Sequence, residues 1–533
     1  MALALIAGGV NYLVSALHYT TFDIGPAPDQ IRDAFVYQGM VRGTFPSLGP
    51  GSSVGGYSLP PLYYFLAAPA ALLGADPAFT VLPNALFSFA SIPLFMGLIY
   101  TLLANVSATR RFTLTGVAGL WYALLYPLIF ISTFQWNPSP IPFFLFAFAL
   151  LYRVQWKAQA SLTVQVICWI AYGMVQSILV SLHSATMFVI PAIYLGSLVV
   201  YWVKHRKHPQ KWGLPFTSLA AAIAILLPYW QGELGRGFAN TKQVIRAIIG
   251  GSDGGESPSL IGRLGRILWN YAELGWQSYF IGDTSFHKII AVIFVFAVLG
   301  LALIKFRGDR VLFNFLAAVW VVYLLAASSY TEAYVIHYKL LILVAPIIFS
   351  MIVLAYRPLP KLPGQVVSVL ISTGIVASMI SNLAYDGAYL SSKFSRDRAL
   401  SSTDVIHLLQ ALPPGSTLCD PRFERWRTQH HIGQYIDQYI TRQALTLSQT
   451  CEPNNYLIEP KVVYLFKTNN VWPAFQTRKL VPLNQTLEAP ITLVNETPAA
   501  RLYQFEASAT LDYCYSFVGD RYIDSTCSNL EEL

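Results

Sequence analysis

The sequence predicts a polytopic α-helical membrane protein with a soluble α/β domain at its C-terminal end. Three observations predict it. Eleven apolar runs crowd the first 385 residues, many near the ~20 residues that cross a bilayer as a helix. Basic residues fall in every second short loop between those runs. From residue 386 onward the charge density becomes that of an ordinary soluble chain. Composition agrees, with 55% apolar and 12% charged residues and a mean hydropathy of +0.49, where soluble chains carry about a quarter charged residues. The formal charge of +8 sits mostly beside the spans, so it is no nucleic-acid footprint. Disorder and collagen-like structure are excluded as well.

The expected spans are Met1–Leu17, Phe79–Ala104, Thr113–Ile131, Pro140–Tyr152, Leu162–Leu182, Ala185–Val203, Leu214–Trp230, Ile289–Ile304, Val311–Ala327, Leu340–Tyr356 and Val366–Ala384. The first is short and has no basic flank. A tilted helix and a start site set too late both account for it. Tyr57–Gly74 is apolar enough to cross, but Pro60-Pro61, Pro69 and three tyrosines read as an interfacial or re-entrant helix. Arg110-Arg111, Arg153, Lys204–Lys207, Lys305–Arg310 and Arg357 alternate with loops free of Lys and Arg at Ser132–Ser139, His183-Ser184 and Ser328–Glu332. The positive-inside rule therefore places the basic loops in the cytoplasm. Loops 18–56 and 231–288 and the tail 386–533 then lie outside the cell membrane.

The tail reads as mixed α/β, with strands at Val462–Phe466, Ile491–Val494 and Leu502–Phe505 and a helix at Thr403–Ala411. Four of the five cysteines, Cys419, Cys451, Cys514 and Cys527, lie in it. That concentration suggests two disulfides in an oxidising compartment, with three pairings open and the two local closures favoured. Cys168 is a packing residue within a span.

Ionisable groups beside membrane spans mark function by default, and here they gather on the outer side. Asp29, Arg32 and Asp33 are in the first loop, Trp136-Asn137 follows one span, and His183 tips a tight turn between two others. Lys288, His337 and Lys339 sit at further outer ends. In Leu260–Gln277, the residues Arg263, Arg266, Asn270, Glu273 and Gln277 recur at helical spacing opposite an apolar stripe. That pattern predicts a helix in the interface plane, whose arginines fit a lipid-borne phosphate. No zinc spacing, P-loop, G-x-S-x-G elbow or dinucleotide fingerprint occurs.

Pro28-Asp29-Gln30-Ile31-Arg32-Asp33-Ala34 and Pro60-Pro61-Leu62-Tyr63-Tyr64 resemble two motifs of the GT-C integral-membrane glycosyltransferases, the protein O-mannosyltransferase and lipid A aminoarabinose transferase branch. Trp136-Asn137-Pro138 and Leu182-His183-Ser184-Ala185 also look like segments of its bacterial members. The resemblance spans roughly residues 1–385 and implies a GT-C-like fold of about eleven transmembrane helices plus juxtamembrane helices. It implies inverting transfer of a hexose or pentose from a polyprenyl-phosphate donor to a glycan, lipid or protein acceptor outside the membrane. Asp29 would be the general base, with Asp33 as second carboxylate. Arg263, Arg266, Lys288, His337 and Lys339 would hold the donor phosphate and its lipid. Arg32, Tyr63, Tyr64, Trp136, Asn137 and His183 would line the substrate site. Gln30 stands where the family has Glu, and Leu59 where it has Lys, so the divalent metal the family suggests is left open. A lipid-linked saccharide flippase, or a ligase or polymerase using a pyrophosphate-linked donor, are the alternatives.

Overall fold

The computed structural model describes residues 1–17, 27–52, 56–75, 77–133, 135–156, 161–208, 211–250, 259–281, 285–304, 306–328, 336–356 and 361–394 of the helical part. In the tail it describes 402–419, 438, 444–448, 451–460, 462–467, 474–480, 490–497, 500–508 and 530–531. His18, Asp23, the glycine-rich stretch 251–255, the His430-His431 pair, Cys514 and Cys527 lie outside the described residues.

Each of the eleven expected spans coincides with helix. Six are single helices long and apolar enough to cross a membrane. Two others are broken. The expected span Thr113–Ile131 is the helix Ala108–Ala123 followed by Tyr126–Ser132 at 55°, and Leu214–Trp230 is Gly213–Ile225 followed by Leu227–Gly235 at 58°. Pro127 and Pro228 open the second halves. A proline has no N–H for the preceding turn and clashes with it, so both helices restart there. At the first break Asn382 Oδ1 accepts the Tyr126 amide at 2.9 Å, satisfying a backbone group that lipid could not. Leu340–Tyr356 begins as turns and becomes α-helix only at Ala345. Tyr57–Gly74 forms a helix, Leu62–Ala67, and a 3₁₀ stretch, Ala68–Leu73.

A large apolar core unites the helices, and aromatic rings stack within it: Phe148 lies on Tyr172 at 4.4 Å and Phe95 on Tyr122 at 4.8 Å. Small residues set the closest approach. A Cβ on Gly173 would lie 2.0 Å from the Ser218 carbonyl oxygen, so Leu162–Leu182 and Gly213–Ile225 touch backbone to backbone. At the basic end Asp309 caps the helix Arg310–Ala327 through the Leu312 amide at 3.0 Å and pairs with Arg153.

Among the described residues the tail carries eight strands: β1 Thr417–Cys419, β2 Thr446–Ser448, β3 Tyr456–Pro460, β4 Val462–Lys467, β5 Ala474–Leu480, β6 Ile491–Glu496, β7 Ala500–Phe505 and β8 Leu530–Glu531. The larger sheet has the order β2-β1-β3-β7-β6. β1 is parallel to β2 and β3, and β7 is antiparallel to β3 and β6. A second, antiparallel sheet runs β4-β5-β8. The helix Ser402–Gln410 buries Leu408 and Leu409. Cys419 and Cys451 are joined, as local closure favours.

Candidate active site

The first loop is helical over Ala27–Val41, which places Asp29, Arg32 and Asp33 at i, i+3 and i+4 on adjoining faces. Asp29 sits in the first turn, where the helix dipole favours a carboxylate. Arg32 binds both acids: its Nη1 lies 2.8 Å from Asp29 Oδ1, and its Nε donates to Asp33 Oδ1 at 2.8 Å. The two carboxylates differ in surroundings. The Asp29 side chain is 49% exposed and that of Asp33 is fully buried. Burial raises the Asp33 carboxyl to about 6 despite the Arg32 charge beside it. Burial also opposes the Arg32 charge, but Asp33, Tyr64 and Asp29 more than restore it and hold the guanidinium above its usual range.

Tyr64 completes this cluster, donating its hydroxyl to Asp33 Oδ1 at 2.8 Å. It arrives there on a short hairpin. The Gly49 amide donates to Leu59 O at 2.7 Å, the Leu59 amide to Pro50 O at 2.9 Å, and the Ser52 amide to Tyr57 O at 2.8 Å. Gly49 is required, since a Cβ would lie 2.2 Å from the Pro60 carbonyl oxygen. Pro60-Pro61 then ends the extended strand and starts the helix that carries Tyr63 and Tyr64. From the loop 231–288, Asn240 clasps the hairpin. Its Oδ1 accepts the Ser58 amide at 2.6 Å, and its Nδ2 donates to Ser58 O at 2.9 Å and to Tyr229 Oη at 3.0 Å.

Asn84 links this cluster to a second one. Buried in the helix Leu82–Leu102, its Nδ2 donates to Tyr63 Oη at 3.2 Å and to Trp136 O at 3.0 Å. The Trp136 ring lies 4.3 Å from that of His337, which lies 5.2 Å from His183. Asn137 Nδ2 donates to Leu182 O, fixing the turn that presents His183. His183 Nδ1 accepts the Ala185 amide at 3.2 Å. Burial lowers the His183 imidazole to about 4, and burial with its neighbour His183 lowers His337 well below the usual histidine range. Both rings are therefore neutral near pH 7 and supply no cation. Several buried polar atoms here have no hydrogen-bond partner among the described residues: both ends of the Gln30 amide, Asp33 Oδ2 and His337 Nδ1.

Lys339 differs from expectation. It is fully buried, and its Nζ lies 2.5 Å from Glu273 Oε2 and 2.7 Å from Gln277 Oε1. Burial pulls its ammonium down to about 8 against the pull of Glu273. Its charge is spent inside the protein, tying the segment Ile336–Lys339 to the helix Leu260–Leu274. That helix also turns its expected stripe partly inward. Asn270 and Glu273 are buried, as is Gln277 just beyond it, while Leu260, Ile261, Leu264, Leu268 and Trp269 are exposed. Arg263 is exposed and Arg266 half-buried on the same helix, and Lys288 is half-buried in the first turn of Ser285–Ile304.

The structure thus joins Asp29, Arg32, Asp33, Tyr63 and Tyr64 to Trp136, Asn137, His183 and His337, through a residue the sequence reading passed over. Asn84 is the one amide in an otherwise apolar stretch, Phe79–Leu102, and that isolation was its signal. Glu273 and Gln277 stood four apart in the helical pattern, but nothing marked Lys339 as their partner. Among the described residues no three of His, Cys, Asp and Glu gather closely enough to hold a metal ion.

A bundle of spanning and broken helices, a loop helix bearing an acid–arginine–acid cluster, and a C-terminal sheet domain make up this chain, a membrane protein of the GT-C fold. The particular structure that carries this assignment is that of ArnT from Cupriavidus metallidurans in the apo state, at a TM-score of 0.51 and 11% identity over 93% of this chain and 97% of that one. ArnT bound to undecaprenyl phosphate aligns at 0.48 and 11% identity over 94% and 97%. The archaeal oligosaccharyltransferase AglB from Archaeoglobus fulgidus, in complex with an inhibitory peptide and a dolichol-phosphate, aligns at 0.44 and 10% identity over 86% and 68%. No protein-family model matches the sequence, and neither does any curated protein.

Proposed function

We propose that this chain is an inverting glycosyltransferase that moves a hexose or pentose from a polyprenyl-phosphate donor to an acceptor on the extracytoplasmic side of the membrane. The observation that carries the reading is the unequal carboxylate pair. An acceptor hydroxyl attacking the anomeric carbon must lose a proton, and the base must reach it within about 3 Å. Asp29 is exposed enough to meet a substrate and is oriented by Arg32. Asp33, fully buried under Tyr64, orients Arg32 rather than meeting substrate.

The leaving group is already a phosphate, so it needs cations more than an acid. With Lys339 held by Glu273, that role falls to Arg263, Arg266 and Lys288. The exposed apolar side of Leu260–Leu274 supports their place near the lipid. Tyr63, Tyr64, Trp136, Asn137, His183 and His337 would then shape the sugar and acceptor side. The alternating basic loops support an active site and tail outside the cytoplasm, as the Cys419–Cys451 disulfide does.

The test is transfer of radiolabelled sugar from undecaprenyl-phosphate-linked hexose and pentose donors in membranes holding the full chain or Asp29→Asn. Loss of about 10²-fold or more with unchanged expression and melting supports Asp29 as base. Undiminished transfer by Asp29→Asn rejects it.

A further inference from the structure

The loop after the helix Ser184–Lys204 takes no part in the proposed transfer. Lys204, His205, Arg206, Lys207, His208 and Lys211 fall within eight consecutive positions. Nothing local balances them, for no Asp or Glu occurs between Pro77 and Gly232. Asp309, the acid on the adjoining basic loop, is engaged by Arg153.

This loop is built rather than merely charged. Trp202 Nε1 donates to Trp212 O at 3.2 Å, and Trp212 Nε1 donates to His205 O at 3.3 Å, clasping its two ends. Inside the clasp the His208 amide donates to His205 O at 2.8 Å and the Lys211 amide to His208 O at 2.9 Å. The His205 ring stacks on Tyr201 at 4.1 Å, and Lys204 Nζ lies 4.5 Å over the Trp156 ring. With the backbone folded inward, Arg206, Lys207 and His208 are exposed. Burial, with the charges of Lys211 and Lys204, lowers the His205 imidazole against its hydrogen bond to the Tyr201 carbonyl. Trp202 and Trp212 are both exposed, at the end of one spanning helix and the start of the next. That is where indole rings anchor at the headgroup level of a bilayer.

We propose that this loop is a docking surface for anionic phospholipid headgroups of the leaflet it faces. A single-sign cluster held at headgroup depth by two tryptophans meets a lipid phosphate without reorganising.

The experiment is native mass spectrometry and thermal melting of the detergent-solubilised full chain with phosphatidylglycerol or phosphatidylcholine of the same acyl chains. Wild type is expected to bind phosphatidylglycerol preferentially and to melt higher with it. Arg206→Gln/Lys207→Gln, whose side chains are exposed, should lose phosphatidylglycerol affinity on the order of tenfold. Lys242→Gln/Arg246→Gln, exposed on the helix Ala239–Gly250, should keep the preference. Equal binding of the two lipids by wild type overturns the proposal, and so does an undiminished preference in the first variant. Capture of polyglutamate with no lipid preference would overturn it in favour of an acidic protein partner.

Discussion

Arg32 stands midway between Asp29 and Asp33, 2.8 Å from an oxygen of each. The guanidinium fork suits this, since its donors are fixed in one plane and satisfy two carboxylates at once. Lysine at this position would meet one acid and leave the other. Arg32→Lys is therefore expected to lower transfer about tenfold or more while the chain still folds, read as kcat/KM against melting temperature.

Asp33 makes stability depend on pH. Its carboxyl is raised to about 6 in the fold from an ordinary value of 3.8, so between those values the folded state holds the extra proton. Its contribution is fully present below about pH 4 and is lost as pH rises through about 6. A shift of this size corresponds to roughly 2–3 kcal/mol. Melting of the wild type should therefore fall with pH across that window, relative to Asp33→Asn. A parallel pair of curves would show that Asp33 does not titrate there.

The Lys339–Glu273 pair is buried, so removing one partner leaves an uncompensated charge. Glu273→Leu and Lys339→Met are each expected to destabilise by about 3–5 kcal/mol. The double variant should recover much of that loss, because two apolar side chains cost nothing to desolvate. Chemical denaturation of the three variants measures the coupling.

Gly173 packs against backbone that cannot move aside, with a Cβ 2.0 Å from the Ser218 oxygen. Gly173→Ala should part the helices Leu162–Leu182 and Gly213–Ile225 and cost about 1–3 kcal/mol. Gly196→Ala, where nothing lies within 4 Å of the new methyl, is the control and should melt as wild type does.

The Cys419–Cys451 bridge joins residues 32 apart. Chain-entropy arguments give such a closure about 3–4 kcal/mol. Cys419→Ser/Cys451→Ser should lower the tail's protease resistance, and non-reducing mass spectrometry of the peptides reads the bridge directly.

Spans were legible because lipid demands long apolar helices: six of the eleven expected runs are single helices of that kind, two are broken, and the rest are shorter helices. The motif Pro28–Ala34 was legible because i, i+3, i+4 spacing survives any packing. The partner of Lys339 was not legible, because a lone lysine at a helix end looks the same whether it meets lipid phosphate or a buried carboxylate such as Glu273. The runs Thr113–Ile131 and Leu214–Trp230 read as single spans, and the bends at Pro127 and Pro228 emerged only with what surrounds those prolines.

By itself the sequence determined that this chain lives in a bilayer, where its apolar helical runs fall, and that an acid–arginine–acid triplet shares one helical surface. These follow from hydropathy and periodicity, which act over a few residues. Only the tertiary structure decided that Asp29 is open and Asp33 closed, that Asn84 joins the two halves of the site, and that Glu273 neutralises Lys339. Burial and charge pairing are set by groups dozens to hundreds of residues apart, and no local pattern encodes which of them meet.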